Sequence, residues 1–289
     1  LIADALFWLL SFTPLLTKFS FCCRWLNWGI LALSLLFAAG ALYAGVKVPV
    51  VKNVHISSEK LTREYTVVVL SDLHIHRVIS PQKIERIVSL ANAQNPDVVL
   101  LAGDIIDDDV RRVSKITALL KGLKASKGIY FVTGNHEFYA GYDETVRELA
   151  NLGFMFLEND GAAVGKDLYL AGVPDTFAGA AYGKTPDLNR AFAKAGKGAY
   201  RLLVSHSPSD FAGRDFDLEV SGHTHGGQIF PFHVFAKLHN KYLSGLYPMP
   251  GGAEIYVSNG AGQWGPQMRF LAPSEITVLR LTPENRRNK

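Results

Sequence analysis

Cysteine is almost missing from this 289-residue chain: it has two, Cys22 and Cys23, side by side. Two adjacent cysteines build no disulfide framework and say nothing about the redox compartment. They lie near an apolar run, where lipidation is conceivable, although an inert pair is the plainer reading. Strong charge of one sign is missing too. A formal charge of +4 and a pI near 8.9 are too mild to argue for nucleic acid. No basic stripe interleaved with aromatics appears, so a nucleic-acid partner is not expected. Internal repeats and low-complexity tracts are lacking, and no twin-arginine pair precedes the first apolar run. The chain begins with Leu1 rather than Met, as a fragment without its upstream segments would.

What the sequence has is one long uncharged run. Residues 28–46 read WGILALSLLFAAGALYAGV. Nineteen helical residues rise about 28 Å, close to the roughly 30 Å hydrocarbon core of a bilayer. Trp25 and Trp28 at one end and Tyr43 near the other suit the interfaces, and Arg24 and Lys47 bracket the run. A cleaved signal peptide with a small-residue site at Ala38-Ala39-Gly40 is the competing reading. A second apolar stretch, 5–16, favours a multi-span anchor. Lys47, Lys52, Lys60 and Arg63 after the run slightly outnumber Lys18 and Arg24 before it, which by the positive-inside rule leans the remainder toward the cytoplasm. The side stays open; a bacterial inner membrane is the expected location. The expected layout is the end of a membrane-associated region at 1–27, a transmembrane helix at 28–48, and a linker or first strand at 49–64. One catalytic domain follows at 65–283, with a polar tail at 284–289. A single α/β domain can reach that size.

Five short motifs follow strand-like runs. Residues 65–70, YTVVVL, precede Asp72-Leu73-His74, and 97–102 precede Gly103-Asp104-Ile105-Ile106-Asp107. Residues 128–132 lead to Gly134-Asn135-His136-Glu137, 202–204 to His206, and 218–220 to Gly222-His223-Thr224-His225. On extended backbone, residues i and i+2 face one side, so the Asp-x-His and His-x-His pairs can converge. The glycines before ligand-type residues permit sharp turns or close approach. Sites of open α/β sheets form at the carboxyl ends of strands. These donor types describe a centre for two metal ions about 3.5–4 Å apart, and such a centre points to phosphoester hydrolysis.

In this order the motifs resemble the calcineurin-like metallophosphoesterase superfamily, over roughly residues 66–281. The ending Gly222-His-Thr-His-Gly-Gly-Gln228 and the later Arg269-Phe-Leu-Ala-Pro-Ser-Glu275-Ile are similar to its membrane-associated bacterial branch. The resemblance implies an α/β fold with two central mixed β-sheets flanked by helices, a four-layer α/β/β/α sandwich behind an N-terminal transmembrane helix. It implies two divalent ions, Mn, Fe or Zn. Asp72, His74 and His225 would hold one, Asn135, His206 and His223 the other, and Asp104 would bridge them. A metal-bridging hydroxide would attack phosphorus in line. His136 would act as general acid or electrostatic stabiliser at the leaving oxygen, oriented by Asp107.

One departure bears on substrate. Protein phosphatases of the superfamily carry arginine after the second Asp of G-D-x-x-D, where this chain has Asp108 and then Asp109. Without an arginine fork, a phosphodiester or pyrophosphate is favoured over a phosphomonoester. A lipid-linked substrate suits the anchor, as for the superfamily's UDP-2,3-diacylglucosamine hydrolases. Alternatives are a metallonuclease or cyclic-nucleotide diesterase, and a non-catalytic scaffold. Oligomeric state is not legible. Glu137 reads as a helix-start carboxylate more than a base. His55 reads as structural; His76, His233 and His239 are secondary candidates for substrate contact. Helices are expected at 80–93, with Ile84, Ile87, Val88 and Ala91 on one face, and at 108–123, 142–152 and 186–195. A strand is expected at 168–173. The segment 226–252 is long for a connection and aromatic-rich: a substrate flap, a membrane-touching loop, or an ordinary packed loop.

Overall fold

The computed structural model describes residues 20–176, 178–209, 211 and 215–284. The apolar stretch 5–16 and the tail from 285 lie outside the described residues, as do the side chains of Cys22 and Cys23.

Helix α1 (Ser20–Val46) opens the described chain. Its 22 residues Trp25–Val46 are long and apolar enough to cross a membrane by length and composition; they rise about 33 Å. One stripe of α1 docks on the following domain. Phe37 packs edge-on against Phe270 at 4.6 Å, and Ala41 O accepts from Arg269 N at 2.9 Å. Gly45 O accepts from Gln263 Nε2 at 2.6 Å and Lys83 Nζ at 3.2 Å. A cation at the last carbonyls suits the negative end of the helix dipole.

The domain is built on two six-stranded mixed sheets. The first runs β1 (Val50–Ser58), β12 (Glu275–Pro283), β2 (Tyr65–Leu70), β3 (Val98–Ala102), β4 (Ile129–Val132) and β5 (Met155–Phe156). Strands β2 to β5 are parallel, and β12 lies antiparallel to β2. Residues 49–64 therefore supply a full strand, β1, paired parallel to β12 from Val50 to Ser58. His55 is exposed on it. The second sheet runs β10 (Gly245–Pro248), β11 (Glu254–Val257), β9 (Leu218–Ser221), β8 (Tyr200–Val204), β7 (Leu168–Gly172) and β6 (Asp160–Ala163).

Central parallel strands are covered on both faces, so they read as continuous apolar runs. Alternate residues divide between two cores. Val67, Val69, Val98, Leu100 and Val132 meet Leu170, Leu202, Val204 and Val220 between the sheets. Val68, Leu70, Val99, Leu101 and Phe131 face α2 (Pro81–Asn92), α3 (Val110–Thr117) and α5 (Tyr142–Asn151). Ile84, Ile87, Val88 and Ala91 form the buried face of α2, as their spacing requires. The outer face of the second sheet has a thinner cover. The helix expected over 186–195 contracts to α6 (Leu188–Ala191). Its short apolar face buries Ala191 and the following Phe192, and glycines at 196 and 198 end the segment.

The segment 226–252 is not a structureless loop. It holds α7 (Phe232–His239) and β10, with Tyr242 and Met249 buried against the second sheet.

Leu100 is 1% exposed in the inter-sheet core. Leu100→Ala leaves a cavity there and is expected to cost about 2–5 kcal/mol. Thermal or denaturant unfolding checks this; a loss below about 1 kcal/mol would mean that the two sheets are not tightly packed at that point.

Candidate metal centre

The carboxyl ends of β2, β3 and β4 in one sheet and β8 and β9 in the other open on the same edge. Asp72, Asp104, Asn135, His206 and His223 each follow one of these strands within a few residues. The backbone at these ends is unusual. Asp72, His74, Asp104, His223 and His225 all have positive φ, between 48° and 67°. Asp-x-His and His-x-His therefore converge through left-handed turns, not on the extended backbone their spacing suggested. Left-handed conformation costs an ordinary residue about 1–2 kcal/mol, and such strain clusters where a site over-determines the backbone. Two glycines relieve crowding. Gly103 has φ 85°, and a Cβ on Gly222 would strike Ser71 Oγ and Asp72 Oδ2.

All seven expected donors come together. Asp72, His74 and His225 form one group, with His74 Nε2 3.0 Å from His225 Nε2 and His225 Nε2 3.3 Å from Asp72 Oδ1. Asp104, His206 and His223 form a second, and Asn135 Oδ1 lies 3.0 Å from His223 Nδ1. Asp104 Oδ2 faces both groups, 3.1 Å from His206 Nε2 and 3.8 Å from His74 Nε2.

The donor chemistry fits a divalent cation. His206 donates from Nδ1 to Ala102 O at 2.8 Å, so in the neutral ring Nε2 carries the lone pair; it is buried and faces Asp104 Oδ2 at 3.1 Å. His74 donates from Nδ1 to Asp107 Oδ1 at 2.8 Å, which likewise turns its Nε2 lone pair inward. Burial opposes the Asp104 charge, but His206, His74 and His136 outweigh it and hold the carboxyl below its usual range. Burial also opposes protonation of His206, yet Asp104 raises it well above its ordinary value. A proton on Nε2 and a metal in its place would answer to the same carboxylate, so a bound metal would take the place of a proton. Burial, then His74 and Arg269, keep His225 neutral.

His136 stands apart from both groups, with Nε2 3.9 Å from Asp104 Oδ2. Its Nδ1 donates to Asp107 Oδ1 at 2.9 Å. Asp107 thus orients His136 and also His74, a second partner that the motif did not reveal. Burial lowers His136, but Asp107 and Asp104 carry it above its ordinary pKa. Burial works against the Asp107 charge, and the two imidazoles hold it below the usual carboxylate range.

Three supports were not legible in the sequence. Glu137 starts α4 (Asn135–Ala140) and accepts from Gly134 N, as a capping box requires. It also accepts from Asp104 N, Ile105 N and Ile106 N at 2.6–3.0 Å, fully buried. Burial and Asp104 push it up to about 7, against the pull of these N–H groups. Arg269, also fully buried, donates to the carbonyls of Asn259 (2.7 Å), Gly262 (2.6 Å) and Ala272 (2.9 Å), and lies 3.3 Å from His225 Nδ1. Its motif in the sequence, 269–275, marks a family likeness and no role for the arginine. Buried Asp175 accepts from Ser207 Oγ, and its charge acts on His206 and His223. Its place just beyond the carboxyl end of β7 was the available signal.

The secondary candidates fall outside. His76 donates to His74 O, His233 packs against Phe230, and none of His76, His233 and His239 lines the cavity above the cluster. Asp108 also lies off that cavity, 3.5 Å from Arg77 Nε and 3.7 Å from Arg112 Nη1.

Glu137→Gln keeps the shape but turns an amide NH2 toward backbone donors. The expected cost is about 2–4 kcal/mol, with weaker Mn uptake because Asp104 is released from its loop. Thermal unfolding and Mn titration read both effects; unchanged values in both would show that the carboxylate is not what holds the two loops.

Residues 65–227 match the calcineurin-like phosphoesterase family. An uncharacterized metallophosphoesterase of Helicobacter pylori is 38% identical over 247 residues, covering 84% of this chain and 66% of that protein. A transmembrane protein with metallophosphoesterase domain from Danio rerio is 33% identical over 268 residues, 87% of this chain and 61% of that protein. The chain thus spans about two thirds or less of the length of these curated relatives. A 5'-nucleotidase precursor from Thermus thermophilus superposes with a TM-score of 0.46 at 16% identity, over 76% of this chain and 54% of that one. With the match running through the strands that carry the donor cluster, and with relatives a third or more identical across most of its length, this chain belongs to the calcineurin-like phosphoesterases, a family of phosphoester hydrolases.

Proposed function

We propose that the chain is a membrane-anchored phosphoesterase that uses two divalent ions, Mn, Fe or Zn, to hydrolyse a phosphodiester or pyrophosphate. One observation carries the reading: Asp104 Oδ2 lies among the Nε2 atoms of His74, His206 and His136, where the cluster meets an open cavity of about 680 Å3. Asp72, His74 and His225 would hold one ion, Asn135, His206 and His223 the other, with Asp104 between them. Mixed imidazole and carboxylate donors favour transition metals over calcium. When bound, the ions supply Lewis acidity at the phosphoryl oxygens and an activated water at neutral pH.

The chain's own residues move the proton. Asp107 holds Nδ1 of His136 as a donor, so Nε2 points to the cavity and can protonate the leaving oxygen. Tyr139 packs edge-on against that ring at 5.6 Å and limits its rotation. No lysine or arginine lines the cavity among the described residues. A dianionic monoester therefore finds no side-chain fork, while a monoanionic diester needs none. The diester preference rests on this absence of cations in the wall; Asp108, turned to its arginines, does not face the substrate.

Elemental analysis of protein reconstituted with Mn is expected to find about two ions per chain; fewer than about half an ion would defeat the two-metal reading. Asp104→Asn is expected to abolish turnover while the fold survives. His136→Ala keeps both ions and loses about 10²–10⁴-fold in rate; loss of metal instead would mean that His136 is a ligand. Bis-aryl phosphodiesters are expected to show higher kcat/KM than aryl monoesters, and the reverse order would refute the argument from the cation-free wall.

A further inference from the structure

The cavity changes character along its length. Its floor is the donor cluster; its far wall is Ile229, Phe232, Phe235, Ala236, Trp264 and Pro266. Phe232, Phe235 and Ala236 share one face of α7, at i, i+3 and i+4. On its other side Val234 is exposed and Leu238 is 80% exposed, beside the polar His233, Lys237 and His239. No residue of α7 is buried. A short helix that exposes phenylalanine, valine and leucine beside basic residues has the makeup of a segment lying at the headgroup boundary of a bilayer. Phe230 and Leu271 extend the exposed apolar patch.

The anchor reaches the same wall. Ile229 bridges to Phe270 and Leu271, and the Phe270 ring packs on Phe37 of α1. Gln228 and Trp264 exchange two hydrogen bonds beside it, at 2.7 and 3.0 Å. The bilayer-length helix and the apolar cavity wall are therefore joined by one layer of side chains.

We infer that the substrate is a bilayer lipid, a phosphodiester or pyrophosphate headgroup on a long apolar tail. The headgroup sits on the metal cluster and the tail lies along Ile229, Phe232, Phe235 and Trp264. The patch around α7 rests in the membrane surface beside α1, so the tail enters from the bilayer. The inference rests on the phosphoesterase reading and names its substrate class.

The test uses the full chain, Mn-loaded in detergent, and a series of p-nitrophenyl alkyl phosphodiesters with methyl, hexyl and dodecyl chains at one fixed detergent concentration. Each buried methylene is worth up to about four-fold, so kcat/KM from methyl to dodecyl is expected to rise by about 100-fold or more. Phe232→Asp and Phe235→Asp are expected to cut that rise to below about ten-fold; both side chains are more than 60% exposed, so no core is disturbed. A flat series in the wild type overturns the lipid site while leaving the phosphoesterase intact, and a second copy of the chain covering α7 would produce that result. An equally steep series in the variants means that detergent partitioning, not the cavity, selects long chains, and it also overturns the site. Failure to turn over any ester overturns the phosphoesterase reading instead.

Discussion

The fully buried carboxylate of Glu137 is the constraint on which the centre depends. It accepts four backbone N–H groups, three from the turn after β3 and one from the turn after β4. Those turns present Asp104 and Asn135. An unpaired carboxylate at this depth would be costly, but four donors satisfy it, and the same bonds fix two loops that have no regular structure of their own. The positive φ of Asp104 persists because the surrounding bonds leave that loop no other course. Arg269 does the corresponding work on the other side, gathering the loops that carry His225 and cover Asp72 through their carbonyls and through His225 Nδ1.

Much of the site was legible because its chemistry is local. Asp72, His74, Asp104, Asn135, His206, His223 and His225 each follow a buried strand, and parallel strands deliver their carboxyl ends to one edge. The face of α2 was legible for the same reason: Ile84, Ile87, Val88 and Ala91 obey the helical period. What escaped depends on contacts distant in sequence. Glu137 looks like a helix cap, and nothing near it tells of bonds to residues 104–106. Asp107 serves His74, 33 positions away, as well as His136. Arg269 looks like an exposed basic residue until the loops close over it. Asp108 misled in the other direction: its position in the motif suggested the substrate, but the turn into α3 directs it toward Arg77 and Arg112. The helix expected over 186–195 is only one turn long, Leu188–Ala191, because its apolar face offers little beyond Ala191 and Phe192 to bury.

The fold also links α1 to the donor cluster. β12 enters between β1 and β2, and the segment before it, 262–271, packs on α1 with one face and frames the cavity with the other. The duties are divided within this short segment: Trp264 and Pro266 line the cavity, while Arg269 and Phe270 meet α1. Substitutions there are therefore coupled: one that loosens α1 also moves the cavity wall and, through Arg269, the loop of His225.

In the proposed function the two donor groups would hold two ions with Asp104 between them. Electron paramagnetic resonance of the chain loaded with two equivalents of Mn reads this arrangement, because exchange coupling requires a ligand shared by both ions. The full chain is expected to give an exchange-coupled spectrum, and Asp104→Asn to weaken that coupling. An isolated-ion spectrum from the unmodified chain at full loading would contradict it.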